Sequence, residues 1–165
     1  PSSVPLDPPV PSPAALTLCL ALFSACRGGE DPGRCLRDKA ALGEALESDR
    51  QAAAALRDAD DLAVQRRAEQ AAALVDARVI PACDRGLARM QSWQPSSRWG
   101  RARRSEATAL MQQRKASSLR YAEALRSGDA ERVVAQMVLQ KSVEQQALTL
   151  RASLERAPGA GECAP

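Results

Sequence analysis

Arg57-Asp58-Ala59-Asp60-Asp61-Leu62 is the stretch whose reading decides the architecture. Residues 34–92 contain few helix breakers, and unbroken helix over that length would reach about 88 Å at 1.5 Å per residue. The apolar stripe argues against it. Leu36, Leu42, Leu46, Ala53 and Leu56 follow helical spacing, but the same phase carried forward meets Asp60 and Arg67. From Leu62 a new stripe runs through Ala72, Val75, Val79, Cys83, Leu87 and Met90. Asp58, Asp60 and Asp61 stand at the break, where aspartate turns a chain and caps the next helix. The reading is therefore a helical hairpin, residues 34–57 and 61–92, with its turn near Ala59.

A turn at Ala59 places the cysteines. In an antiparallel pair, residues equidistant from the turn lie at one level, and Cys35 and Cys83 are each 24 residues from Ala59. Helix axes pack 8 to 10 Å apart, whereas a bridge needs Cα atoms within roughly 7 Å, so close approach is required. Ala82 and Gly86 are small enough to allow it. Cys35–Cys83 is the leading pairing. Cys163 lies in the tail at the same end of an up-down-up-down bundle, which leaves two other arrangements open: either helix cysteine tied to Cys163, or Cys163 bridging to a second molecule.

Downstream, Gln94-Pro95-Ser96-Ser97 is the clear internal break, and Ser127-Gly128-Asp129 is a second stop. Gly128 suits a left-handed position and Asp129 a cap. Leu110, Leu119, Ala122 and Leu125 before this stop, and Val133, Met137, Val143, Ala147, Leu150 and Leu154 after it, define helices over 98–127 and 130–156. The whole is an all-α, antiparallel four-helix bundle of two hairpins over residues 34–157, with a flexible tail at 158–165. A chain of 165 residues is the size of one domain, and only four aromatic residues (Phe23, Trp93, Trp99, Tyr121) and a single isoleucine, Ile80, disfavour sheet. Most of the polar residues in the middle of the last two helices, Gln112, Gln113, Arg114 and Lys115 against Gln140, Lys141, Glu144 and Gln145, must face solvent; if Arg114 and Glu144 face each other, they could fix register.

The first residues differ. Six prolines crowd residues 1–13, and an apolar run over 14–25, too short for a bilayer span of about 20 residues, ends in Ser24 and Ala25 ahead of Cys26. Leu22-Phe23-Ser24-Ala25-Cys26 resembles the lipobox of bacterial lipoproteins. That resemblance implies a signal peptide over residues 1–25, cleavage after Ala25 and a diacylglyceryl thioether on Cys26. It also implies export to the cell envelope, with Arg27 favouring the outer membrane of a Gram-negative cell. Residues 26–33 then read as a spacer. Export makes oxidation of the remaining cysteines feasible.

Chemistry is harder to find. The chain has no histidine, which removes Ser-His-Asp and Cys-His arrangements and the HExxH zinc site. A Gly-rich phosphate loop, a CxxC pair and a GxSxG elbow are also absent from the sequence. Asp58, Asp60 and Glu69 match places one, three and twelve of a calcium loop, but Ala63 stands where glycine must turn it, so a capped acidic turn is the better reading. Cys35, Cys83 and Cys163 could together hold a soft metal, although outside the cytoplasm a disulfide is favoured. No catalytic residue and no cofactor is expected.

The clearest surface signal is charge. Residues 93–165 carry 12 basic and 7 acidic side chains, and the excess gathers at Arg98, Arg101, Arg103 and Arg104 beside Trp93 and Trp99. One reading is a patch for anionic lipid headgroups or an acidic protein partner. The other, which the pattern favours, is a helix start whose tryptophans close the core while the arginines stay in water. Export and a modest net charge disfavour nucleic acid. The sequence thus reads as a non-catalytic, lipid-anchored envelope protein, an interaction or structural module. A ligand-binding or enzymatic bundle with an internal cavity, and a cysteine-based metal or redox role, are the alternatives.

Overall fold

The computed structural model describes residues 31–159 and 161–165. The lipobox-like run and the rest of residues 1–30, with Cys19 and Cys26, lie outside them. Among the described residues the chain is all-helical: α1 (Pro32–Val64), α2 (Ala68–Leu74, a π-helical turn Val75–Val79, and Ile80–Ser92), α3 (Arg98–Ser127) and α4 (Ala130–Glu155). No helix among them is long and apolar enough to cross a membrane. α1 and α3 touch each other and both neighbours, whereas α2 and α4 make no contact with each other. The bundle is therefore built on a shared α1/α3 pair, flanked on one side by α2 and on the other by α4.

Local chemistry accounts for most of the helix ends. Asp31 accepts from the Gly33 N–H (2.9 Å), with Pro32 in the first turn of α1. Gly128 takes the left-handed conformation (φ 69°) after α3, and the Asp129 side chain accepts from the Arg132 N–H (3.0 Å) to start α4. Pro81 does not end α2. Proline lacks an N–H and crowds the carbonyl four residues back, and the wider π turn just before it, in which the Ile80 N–H reaches the Val75 carbonyl, gives that carbonyl room.

The first turn is not at Ala59. Helix α1 runs on to Val64, Ala59 is fully buried within it, and the chain reverses at Gln65, Arg66 and Arg67, with Arg66 left-handed (φ 60°). The aspartates stay helical because each of two has a partner there: Asp60 accepts the Tyr121 hydroxyl (2.7 Å) and Asp58 pairs with Arg78 (3.7 Å). A reversal centred on Arg66 moves the level partner of Cys35 from Cys83 to Ser97. The expected Cys35–Cys83 pairing is accordingly replaced by Cys35–Cys163, with Cα atoms 5.4 Å apart, and Cys83 is a free, buried thiol. Leu36, expected on the buried stripe, is 66% exposed, and Leu119 is 47% exposed.

The core is in two apolar parts. Cys35, Leu42, Leu46, Met90, Trp99, Leu110, Val143 and Leu150 fill the end where α1 begins. Leu56, Val75, Val79, Cys83, Met111, Tyr121 and Leu125 fill the other. Asp49 and Arg114, both buried, belong to neither part.

Candidate functional site

Three polar assemblies hold these helices together, and two were invisible to motif reading. The first is centred on Asp38, 2% exposed on the inner face of α1. Its carboxylate accepts from the Ser97 N–H (2.9 Å), the Ser97 hydroxyl (2.6 Å), the Ser96 N–H (3.1 Å) and the Trp93 indole N–H (3.4 Å). A buried anion so supplied is a fixed anchor for the loop between α2 and α3. Ser97 in turn accepts the Gly100 N–H (3.0 Å) as the cap of α3.

The C-terminal tail completes the same helix start. The Arg98 N–H donates to the Ala164 carbonyl and the Trp99 N–H to the Glu162 carbonyl, both at 2.9 Å, while the Arg101 N–H reaches the Ser97 carbonyl at 3.1 Å. With the Ser97 N–H on Asp38 and the Gly100 N–H on the Ser97 hydroxyl, all four orphan donors of the helix start, Ser97 to Gly100, are satisfied. The Cys35–Cys163 bridge fastens the tail there, and Lys39, which lies 5.9 Å from the centre of the Trp99 ring, donates to the Leu154 carbonyl (3.0 Å) at the end of α4. Tail carbonyls and the Asp38 carboxylate also offset the conflict between a helix N-terminus and the arginines that follow it.

Gly100 has no room for a side chain: an added Cβ would overlap the Asp38 carboxylate. Because five donors, the Ser96 hydroxyl included, hold that carboxylate, Gly100→Ala is expected to lower stability by about 1–3 kcal/mol, measured by urea unfolding. Gly86→Ala overlaps the tip of the flexible Met111 side chain and comes within 3.3 Å of the Ser48 Cβ, so its cost should be smaller.

The residues singled out for a surface patch divide. Trp99 is 5% exposed within the core, and Trp93 is half-buried with its N–H turned to Asp38. Arg103 pairs with Glu106 (2.6 Å) and Arg104 Nε donates to the Met90 carbonyl (2.7 Å). Arg98 and Arg101 are exposed, with no side-chain partner among the described residues. The tryptophans serve the core and two arginines face outward. Beside Arg101 and Arg104, Pro95, Thr108 and Gln112 border an open cleft of about 540 Å³.

The second assembly is a closed ring of charge between the two parts of the core. Arg114 pairs with Asp49 (2.5 Å) and, as its sequence position suggests, with Glu144 (2.8 Å); Arg151 pairs with Glu144 (3.1 Å) and with Asp49. Two cations meet two anions across α1, α3 and α4. The Asp49 and Arg114 side chains are 0% and 2% exposed. Burial disfavours the Arg114 charge, but Asp49 and Glu144 outweigh it and leave its pKa raised. Burial likewise pushes Glu144 up, yet Arg114, joined by Arg151, holds it below its ordinary value. The third assembly is Tyr121 with Asp60, where burial raises the Asp60 pKa despite the tyrosine hydroxyl.

These two acids titrate with opposite effect. Glu144 contributes stability that is present above its unfolded pKa and is lost as pH falls through its lowered folded pKa. Asp60 contributes most at low pH, and that contribution is lost as pH rises through its raised folded pKa. Urea midpoints followed from neutral pH into the carboxylate range should therefore fall less steeply in Glu144→Gln and more steeply in Asp60→Asn. An acid limb unchanged by Glu144→Gln would contradict the pairing.

Cys35 and Cys163 are joined, while Cys83 lies in the other part of the core, so the three thiols do not converge. Burial pushes the Cys83 thiol up to about 12, which suppresses thiolate chemistry. Asp58 and Asp60 are on α1 and Glu69 on α2 beyond the turn, and among the described residues no cluster of three or more acidic or cysteine side chains is placed to hold a metal. Asp38, Asp49 and Arg151 were missed by motif searching. The signal for the two aspartates was their place on the apolar stripe of α1, in phase with Cys35, Leu42, Leu46 and Leu56. No protein family, curated protein or solved structure matches the chain.

Proposed function

We propose that this chain is a non-catalytic, lipid-anchored protein of the cell envelope, held to the membrane through Cys26 and serving as an interaction or structural module. The observation that carries this reading is the Cys35–Cys163 bridge, which closes the chain over 128 residues. A bridge used structurally is suited to an oxidising compartment, and in a reducing cytosol it would be lost. The lipobox-like run ending in Cys26 gives the same address independently.

The anchor and the basic end are neighbours in the chain. Asp31 follows Cys26 by five residues, a reach of at most about 18 Å when extended. The end of the bundle that begins at Asp31 also carries Arg98 and Arg101, outward and unpaired among the described residues. Held near a bilayer, that end is suited to anionic headgroups, or to an acidic face of a partner protein. By its resemblance and Arg27, the outer membrane is the favoured site in a Gram-negative cell.

Expressed with its own leader in a bacterium, the protein should sediment with membranes, and Cys26→Ser should release most of it to the soluble fraction. Sedimentation unaffected by Cys26→Ser would contradict the proposal.

A further inference from the structure

Helices α1 and α4 border a groove of about 230 Å³, with the nearly buried Arg114 at its base. Its polar groups fall into two sets. Arg114 and Glu144 are consumed by the charge ring, and Asp60 already accepts the Tyr121 hydroxyl. The second set is unmet. Arg57 and Lys141 border the groove with no ion pair or hydrogen bond among the described residues, and the side-chain nitrogen Nε2 of Gln140 is buried without an acceptor. A buried amide donor left alone is destabilising.

Every group in that unmet set is a donor, and two are cations. What the groove lacks is an anionic acceptor. Ala53 and Met137 supply apolar wall beside these donors. The size is also selective, since a cavity of about 150 Å³ accommodates a six-carbon ring. A single short hydrocarbon chain or ring fits, and a two-chain lipid does not. Asp60 is the one carboxyl here that forms no ion pair with an arginine, and Lys141 lies within electrostatic reach of it.

We infer that the groove between α1 and α4 binds a small amphipathic carboxylate, its head held by Arg57, Lys141 and Gln140 and its hydrocarbon laid against Ala53 and Met137. The site shares no residue with the end that carries Arg98 and Arg101.

Octanoate is a suitable probe, with octanol as the uncharged control. Calorimetric titration of the full chain should show saturable one-site binding of octanoate, at least about tenfold tighter than octanol. Arg57→Glu with Lys141→Glu, both at exposed positions, should weaken octanoate by at least about tenfold with the helical circular dichroism retained, whereas Arg98→Glu with Arg101→Glu should leave it unchanged. Should the first pair disturb folding, the wild-type chain still decides: the Gln140 side-chain amide resonances must shift on titration with octanoate. Equal affinity for octanol, binding unaffected by the Arg57 and Lys141 changes, or an unshifted Gln140 amide would each overturn the inference. So would recruitment of vesicles of anionic phospholipid through Arg57 and Lys141 without octanoate binding, which would assign these cations to a surface contact.

Discussion

Reduction of the Cys35–Cys163 bridge, or its removal in Cys163→Ser, should lower the free energy of unfolding by about 3–5 kcal/mol. The bridge spans 128 residues, and the loop-entropy relation gives about 5 kcal/mol for a closure of that length, with native-state relaxation reducing it. More than entropy is at stake at this position. The bridge fastens the tail whose carbonyls receive the Arg98 and Trp99 N–H groups, so its loss also leaves the start of α3 short of two acceptors. Urea unfolding with and without a thiol reductant reads the effect. Cys83→Ala keeps the bridge and should respond to reductant as the wild type does. A reductant effect below about 1 kcal/mol would mean the tail is not held as described.

Asp49→Ala should cost about as much, 3–5 kcal/mol, through a different mechanism. Arg114 would remain buried at 2% exposure with only Glu144 beside it. Replacing Asp49 and Arg114 together, by Leu and Met, removes the buried charges as a pair and leaves Glu144 and Arg151 to each other at the surface. That double change should recover much of the loss, since a buried ion pair and a packed apolar pair of similar size are often close in stability. A double-mutant cycle gives the coupling directly. A value under about 1 kcal/mol would show that the ring contributes little.

How far the sequence could be read depended on whether each signal was local. Gly128 and Asp129 announced the second reversal because a left-handed residue and a cap are decided by a few neighbouring atoms. With that turn in place, Arg114 and Glu144 could be set opposite each other. The first reversal was hidden for the opposite reason. Arg66 occupies a left-handed position where glycine or asparagine would be usual, and the aspartates that looked like a turn were kept in the helix by Tyr121 and Arg78, distant in sequence. From this one displacement came the mistaken partner for Cys35. Asp38 and Asp49 were legible only as charges on an apolar stripe, and the donors that hold them come from residues 55 to 102 positions away. The tryptophan and arginine cluster was visible as composition, but only packing decides that Trp93 and Trp99 turn inward while Arg98 and Arg101 do not.

Mass spectrometry of the protein recovered from a bacterial envelope, digested without reduction, reads the anchor and the bridge together. The expected result is a chain beginning at Cys26 with an acyl-bearing mass on that residue, a peptide pair joined through Cys35 and Cys163, and Cys83 as a free thiol. A leader still attached with Cys26 unmodified, or Cys35 recovered reduced or joined to Cys83, would contradict it.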